Sequence, residues 1–281
     1  MSWTITPGRN DLPKIVITHP SGSSAEVYLH GAQVTSWKTS DEVERLFLSE
    51  AARFEDGKPI RGGIPVVFPQ FADSGPLVKH GWLRTTRWEV DESVDRSENL
   101  VKLVTRDTDA TSAAWNYSYE AALSVELGES ELTVTLTLKN TGSADMRFTS
   151  ALHTYLAVSD IAQARVLGLY GSPYIDKMAG RASTIDNEQV LRISGETDRI
   201  YTGAPWRIEM TDNLLRLDIS ESGFSDVVVW NPWSAASHGI PDMRPDDYLH
   251  FICIEAAVAD EPCTLEAGRT WSGTQKLKSM S

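Results

Sequence analysis

The clearest structural signal in the chain is the run Leu132-Thr133-Val134-Thr135-Leu136-Thr137-Leu138. Its leucines and its valine alternate with threonines, and this period of two is typical of a β-strand that buries one face. The run from Glu120 to Leu127 before it also reads as a strand, and Gly128-Glu129-Ser130 between the two is typical of a turn. We therefore predict a β-hairpin over these two runs.

Similar short runs extend outward from this hairpin in both directions. Turn-forming clusters separate them, for example Pro20-Ser21-Gly22-Ser23 and Asn140-Thr141-Gly142-Ser143. Helical signals are limited to single turns at Ser40–Glu44 and Asp242–Tyr248, so a parallel sheet with crossover helices is not expected. The sequence predicts an all-β protein, one large antiparallel β-sandwich domain over residues 1–281. Its further strands are predicted at residues 14–18, 25–29, 34–39, 46–48, 88–90, 100–105, 147–156, 214–220, 226–230, 249–255 and 274–277.

Composition excludes several classes of protein. The chain has 281 residues, and 26 Lys and Arg against 39 Asp and Glu give a formal net charge of −13. This acidic balance argues against nucleic acid as a partner, because such binding needs a basic face. Two cysteines, Cys253 and Cys263, are too few for a disulfide framework. No signal peptide is visible and no apolar run approaches the ~18 residues that span a bilayer, so we expect a cytoplasmic monomer with no membrane partner.

Cofactor signatures are missing from the sequence as well. It contains no nucleotide-binding, serine-hydrolase or zinc-protease motif, and its six histidines show no metal-ligand spacing. We therefore expect neither a cofactor nor a metal.

The segment from Ile60 to Phe71 is the first candidate for chemistry. Two glycines and two prolines exclude a regular central strand, yet the segment is too apolar for a solvated loop. We predict a buried loop that is either structural or brings its backbone close to a ligand. Its Arg61 could meet Arg84, from the segment Lys79-His80-Gly81-Trp82-Leu83-Arg84, as an anion site, although each alone is typical of a surface ion pair. Lys79 would add a third positive charge or simply be solvated.

Two further residues suit acid–base chemistry. His153 lies in a predicted strand, where it is either a satisfied core residue or a general acid. Glu255 ends an apolar strand, where burial would raise its pKa toward the range of a general base, unless it reaches water or an arginine. Asp198 has the look of an ordinary turn carboxylate. Several of the nine tryptophans flank these segments, so a carbohydrate cleft is plausible, although most tryptophans fill cores.

Six motifs taken together resemble one known family. They occur in the order seen in the glucose-6-phosphate 1-epimerases of the aldose 1-epimerase superfamily, over about residues 14 to 277. The resemblance implies a galactose-mutarotase-like β-sandwich with an open cleft, which interconverts the α and β anomers of a hexose 6-phosphate. The motifs are Arg61-Gly62-Gly63-Ile64-Pro65, His80-Gly81-Trp82-Leu83-Arg84, Leu152-His153-Thr154-Tyr155, Thr197-Asp198-Arg199-Ile200-Tyr201, Val229-Trp230-Asn231-Pro232-Trp233 and Cys253-Ile254-Glu255.

The resemblance also implies a role for each matching residue. His153 is the acid and Glu255 the base, and we expect them to face each other across a pocket about as wide as a pyranose ring. Arg61 and Arg84 bind on the phosphate side, and Asp198 contacts sugar hydroxyls. The predicted substrate-binding residues are Arg61, Lys79, His80, Arg84 and Asp198.

The chain departs from the family pattern in two places. Lys79 stands where glutamine is usual, and Gln70 stands where an aromatic residue is common. Three different functions therefore stay open beside the one that the resemblance implies: a mutarotase of free aldoses, a non-catalytic carbohydrate-binding sandwich, and a glycosidase that uses Asp198 and Glu255 as its carboxylate pair.

Overall fold

The structure is a computed structural model that describes residues 2–93, 99–203, 205 and 207–280. These residues form almost entirely β-structure, with two short α-helices, α1 (Asp109–Ala114) and α2 (Trp233–Ser237). Four 3₁₀ turns lie at Arg9–Asp11, Leu83–Thr85, Ile161–Gln163 and Asp247–His250. The strands are β1 (Ser2–Pro7), β2 (Pro13–Thr18), β3 (Ser24–Tyr28), β4 (Gln33–Lys38), β5 (Val66–Val67), β6 (Glu89–Val90), β7 (Leu100–Arg106), β8 (Tyr119–Leu127), β9 (Glu131–Asn140), β10 (Met146–Leu152), β11 (Tyr155–Ala157), β12 (Arg165–Leu167), β13 (Pro173–Asp176), β14 (Ala182–Ile185), β15 (Thr197–Thr202), β16 (Arg207–Thr211), β17 (Arg216–Ser222), β18 (Asp226–Asn231), β19 (Phe251–Leu265) and β20 (Thr270–Ser279).

The strands form three sheets. The N-terminal sheet has the order β1-β2-β3-β4. The central sheet has the order β14-β13-β15-β18-β19-β10-β5, with β11 also paired to β19, and the back sheet has the order β12-β16-β17-β20-β9-β8-β7-β6. Every strand pair within the described residues is antiparallel. The prediction of an all-β antiparallel sandwich is therefore confirmed, whereas a single domain over residues 1–281 stays a prediction.

The hairpin that defines the sequence pattern is β8 and β9 of the back sheet. Leu132, Val134, Leu136 and Leu138 are at most 1% exposed and belong to the main hydrophobic core. On the opposite face, the hydroxyl of Thr135 hydrogen-bonds that of Thr274 in β20 at 2.9 Å. Burying a leucine or valine side chain contributes roughly 1.5–3 kcal/mol, so the apolar row of β9 stabilises the sandwich strongly.

Several predictions of local structure were wrong. Residues 40–44 form no helix, because the Asp41 side chain accepts hydrogen bonds from Thr39, Val43 and Arg45 and so holds a turn. Residues 46–48 make only isolated bridges, and the helical turn predicted at 242–248 is instead a 3₁₀ turn that begins at Asp247.

The strand predicted over residues 147–156 is interrupted at His153 and Thr154. Strand β10 ends at Leu152 and β11 begins at Tyr155, yet both pair with β19 in one register, Leu152 with Ala256 and Tyr155 with Cys253. In the gap, the backbone N–H of Thr154 turns back to the carbonyl of Leu152 at 2.9 Å, whereas the N–H of His153 donates to Pro65 at 3.0 Å and continues the pairing with β5. The continuous register still puts His153 opposite Glu255.

Candidate active site

One small cavity lies over a face of the central sheet. Its volume is about 200 Å³, below the usual range of sites for drug-sized ligands and suited to a small molecule. All the residues that the sequence singled out for catalysis or binding line it: Arg61, Lys79, His80, Arg84, His153, Asp198 and Glu255. Lys177 and Trp230 also line it, and Lys177 was not singled out by the sequence.

The floor of the cavity comes from neighbouring strands. Asp198 in β15 pairs with Trp230 in β18, and Trp230 pairs with Cys253 in β19, two residues before Glu255. Side chains two residues apart on a strand share a face, so these strands bring their polar groups to one surface. The interpretation of Asp198 as a turn residue was wrong, because it lies inside a regular strand.

His153 and Glu255 are direct neighbours. The Nδ1 atom of His153 lies 3.5 Å from the Oε1 atom of Glu255, and the two residues are 7% and 1% exposed. The expected pyranose-wide gap between them was wrong, because their register on adjacent strands brings the two polar groups to within 3.5 Å of each other. A ligand must therefore lie in front of the pair and not between its members.

Burial controls the protonation of this pair. Burial raises the pKa of Glu255 well above its usual value, and the carboxylate of Asp198 acts in the same direction. Burial lowers the pKa of His153 well below its usual value, and the charges of Arg61 and Arg84 lower it further. These shifts favour a protonated carboxyl beside a neutral imidazole.

The pair also has free bonding capacity. Within the part of the chain that the structure describes, the buried Nδ1 of His153 and Oε2 of Glu255 have no hydrogen-bond partner. Buried polar atoms are rarely left unpaired, so two such atoms on residues that line one cavity make it the candidate ligand site.

Aromatic packing fixes the plane of the His153 ring. The ring stacks on Tyr155, with centroids 4.8 Å apart and planes at 10°, and meets Trp230 edge-on at 5.7 Å. The ring of His80 lies 5.4 Å away, and its Nδ1 accepts the N–H of Ala72 at 3.3 Å. Neutral His80 therefore carries its proton on Nε2.

Arginine side chains make one end of the cavity positive. Arg61 donates to Asp242 at 3.1 Å and to the hydroxyl of Tyr155 at 2.9 Å. Arg84 donates one Nη2–H to the carbonyl of Lys79, but its buried Nε–H has no partner among the described residues. Burial, together with the charge of Arg61, lowers the pKa of Arg84 to about 10. An anion here would satisfy a free donor and offset this crowding of charge.

Two glycines let the loop after Arg61 fit. Gly62 and Gly63 have φ angles of +109° and +64°. A Cβ on Gly63 would lie 2.1 Å from the carbonyl oxygen of Val34, and one on Gly62 would lie 2.4 Å from that of Phe47. Only glycine fits such a close approach, which confirms the prediction of a buried loop.

The two departures from the family pattern have different surroundings. Lys79 is exposed at the rim of the cavity. Gln70 is buried and exchanges hydrogen bonds with the backbone of Leu77, which shapes the loop that carries Phe71 and Ala72 to the rim. Gln70 therefore acts on the shape of this loop.

Sequence reasoning missed two charged residues that form ion pairs with predicted site residues. Lys177 pairs with Asp198 at 2.7 Å, and Asp242 pairs with Arg61 across 181 positions of the chain. Neither lies in a motif of its own, so only the fold brings them to the site.

One group of side chains has the composition of a metal site. Ligand atoms of His153, Cys253 and Glu255 all lie within 4.8 Å of one another, and zinc accepts all three residue types. The absence of a metal, expected from the sequence, stays a prediction.

A β-sandwich with a buried His–Glu pair beside one small cavity is the arrangement that the sequence analysis expected of a sugar epimerase of the mutarotase type. The aldose 1-epimerase family model matches residues 13–278, so the chain belongs to this family and is an epimerase. Among the described residues, no helix has the length and apolar character that crossing a bilayer requires.

Individual relatives agree with this assignment. A relative from Cenchrus ciliaris, provisionally named a glucose-6-phosphate 1-epimerase, is 34% identical over 96% of this chain and 85% of its own length. One from Escherichia coli K12 with the same provisional name is 31% identical over 90% of this chain and 85% of its own. A crystal structure from Salmonella typhimurium, provisionally described as a mutarotase, superposes with a TM-score of 0.89 at 28% identity and covers 100% of this chain and 94% of the other. A galactose mutarotase related enzyme from Lactobacillus acidophilus, at 12% identity and a TM-score of 0.77 over 95% of this chain and 97% of the other, shares the fold.

Proposed function

We propose that this epimerase interconverts the α and β anomers of a hexose 6-phosphate, with glucose 6-phosphate as the first candidate. The observation that carries the proposal is that one small cavity holds both the His153–Glu255 pair and the unpartnered Nε–H of Arg84. The provisional names of the relatives from Cenchrus ciliaris and Escherichia coli point to the same substrate.

The chemistry needs two proton transfers. Glu255 removes the proton of the C1 hydroxyl while His153 gives a proton to the ring oxygen O5, and the C1–O5 bond breaks to give the open-chain aldehyde. Rotation about C1–C2 presents the other face of the aldehyde, and the reverse transfers close the ring. Each positioned acid or base contributes typically ~10²–10⁴-fold to the rate.

The pair has the correct number of protons for this reaction. A neutral imidazole beside a carboxylic acid holds two acidic protons in total, and so does an imidazolium beside a carboxylate. The 3.5 Å between Nδ1 and Oε1 makes the change from the first state to the second a short transfer. The two groups therefore titrate as a unit, and the reaction needs no proton from solvent.

The phosphate assists this change in protonation. Arg61 and Arg84 help to keep the pKa of His153 low in the empty site. A phosphate dianion beside them offsets their charge, so His153 holds a proton more readily once the substrate is bound. Binding of the substrate thus favours the protonated form of His153 that acts as the acid.

The sugar ring rests on the strand side of the cavity. Trp230 offers an aromatic edge or face to the ring carbons, and Asp198 accepts from sugar hydroxyls while Lys177 holds it in place at 2.7 Å. His80 can donate its Nε2–H to a sugar oxygen, and Lys79 at the rim adds charge near the phosphate.

One observation favours a free aldose as a second candidate. Arg61 already donates to Asp242 and Tyr155, so the structure gives it a stabilising role without any phosphate. NMR exchange spectroscopy on glucose and glucose 6-phosphate, with and without the protein, decides between the two. Faster exchange of the 6-phosphate at low concentration supports the proposal, and equal kcat/KM for both sugars contradicts it.

Exchange spectroscopy also distinguishes an epimerase from a carbohydrate-binding module and from a glycosidase. Binding without faster exchange would indicate a carbohydrate-binding module, and release of reducing sugar from a glycoside would indicate a glycosidase. A cytoplasmic location and a monomeric state are part of the proposal, and size-exclusion chromatography with light scattering tests the latter.

A further inference from the structure

Gln275 lies in the core directly behind the His153–Glu255 pair. It is 1% exposed and belongs to the inward-facing row of β20, between Gly273 and Leu277. An amide in such a row needs hydrogen-bond partners, because an unbonded buried polar group destabilises the folded state.

The Gln275 side chain crosses from the back sheet to the central sheet. Its Oε1 accepts the hydroxyl of Thr154 at 2.5 Å, and its Nε2 donates to the carbonyl of Ile254 at 3.0 Å and to the Glu221 carboxyl at 3.2 Å. Thr154 follows His153 in the chain, and Ile254 precedes Glu255. One amide therefore binds the immediate neighbours of both members of the pair, at the point where the strand is interrupted.

Gln33 makes a similar arrangement behind the arginine loop. It is fully buried in β4, and its Nε2 donates to the carbonyls of Ile60 at 3.0 Å and Gly62 at 2.5 Å. These are the residues on either side of Arg61. One amide thus binds the backbone before and after this guanidinium-bearing residue.

We infer that the two buried glutamines are positioning residues with separate tasks: Gln275 sets the geometry of the acid–base pair, and Gln33 sets the position of Arg61 at the phosphate end. This inference rests on the proposed function, because it assigns the two ends of the cavity to chemistry and to phosphate binding. Neither side chain lines the cavity, so each acts through the backbone it binds.

The two glutamines have different tasks because the backbone segments that they bind carry different functional groups. Loss of the Gln275 hydrogen bonds frees the interrupted strand, and a misplacement of about 1 Å at reacting groups can lower a rate ~10²-fold. Loss of the Gln33 hydrogen bonds frees the Arg61 loop, which weakens a charge-assisted contact to phosphate and leaves the acid–base pair in place.

The test compares Gln275→Met with Gln33→Met, each of which keeps the approximate shape of the side chain and removes its amide hydrogen bonds. With glucose 6-phosphate, Gln275→Met should lower kcat by about 10²-fold with KM within about threefold of the wild type. Gln33→Met should raise KM by about tenfold with kcat within about threefold. The Tm of both variants should fall by similar amounts. Lost stability alone therefore cannot explain a lower kcat in one variant and a higher KM in the other.

Second variants cover a failure to fold. Thr154→Val removes the hydroxyl that Gln275 accepts and should lower kcat in the same manner. Gln33→Glu exchanges the donor to two carbonyls for an oxygen and should raise KM.

The outcomes separate the two proposals. If the wild-type chain fails to speed anomer exchange of any hexose 6-phosphate, the proposed function is wrong. If the wild type is active but the variants of the two glutamines change kcat and KM in the same proportion, or leave both unchanged, the positioning inference alone is wrong.

Discussion

Replacement of Arg84 by methionine should have opposite effects on stability and on substrate binding. The pKa of Arg84 falls from 12.5 to about 10 in the folded chain because burial and Arg61 disfavour its charge. This difference corresponds to roughly 3 kcal/mol that the charged guanidinium costs the empty protein at neutral pH, at about 1.4 kcal/mol for each pH unit. Methionine keeps the aliphatic stem and removes the charge.

Arg84→Met should make the folded protein more stable. Part of the roughly 3 kcal/mol is lost with the hydrogen bond to the Lys79 carbonyl, worth about 1 kcal/mol. A net gain of about 1–2 kcal/mol should raise Tm by roughly 2–8 °C for a chain of this size. Differential scanning fluorimetry without ligand measures this shift.

Arg84→Met should weaken the binding of the 6-phosphate and leave the binding of the free sugar nearly unchanged. Arg84→Met removes a free donor and a charge that a phosphate would satisfy, so KM for glucose 6-phosphate should rise by about 30-fold, or about 2 kcal/mol. KM for glucose should change by less than about threefold, an energy below about 0.7 kcal/mol.

A control variant separates this effect from a general loss of charge. Arg207→Met removes an exposed arginine paired with Asp218 on the back sheet and should change neither Tm nor KM appreciably. A lower Tm for Arg84→Met, or an equal rise in KM for glucose and its 6-phosphate, would refute the reasoning.

Three further predictions concern titratable groups. Glu255→Gln and His153→Asn should each lower kcat by ~10²–10⁴-fold while circular dichroism stays unchanged, and near-normal kcat in either would exclude its role. The pKa of His153, followed by NMR of its ring protons, should rise when inorganic phosphate or glucose 6-phosphate saturates the site, because the anion offsets Arg61 and Arg84; a fall would contradict phosphate assistance. Burial raises the pKa of Glu221 from 4.5 to about 8, so the folded state holds a proton that the unfolded state releases, and stability should fall as pH rises from about 4.5 to 8. Glu221→Gln should remove this part of the decline, and an unchanged slope of Tm against pH would show that the carboxyl does not cause it.

Local patterns were enough to predict the fold class. The alternation in β9 is a property of seven consecutive residues, and its apolar row is buried as that period requires. Among the strands that the sequence analysis did not predict, β14 lacks such a pattern. Strand β14 is exposed along its whole length, so no apolar period marks it, and its pairing with β13 decides its conformation.

The site was only partly predictable for a related reason. Residue types and motif order identified His153 and Glu255, but their separation depends on the register between strands that are 100 residues apart. The partners of Arg61 and Asp198 come from other distant segments, so no local pattern contains them. Long-range pairing is a property of the whole fold.

The cavity has a floor made by adjacent strands and a rim made by loops, and this division separates two kinds of change. Glu255 is fixed by a strand in the middle of a sheet, where a shift of one residue would turn its side chain into the other face. Lys79 and residues 73–76 are exposed on loops, which tolerate replacement. Descendants of this enzyme can therefore acquire a preference for a different sugar while the ring-opening step itself is inherited unaltered.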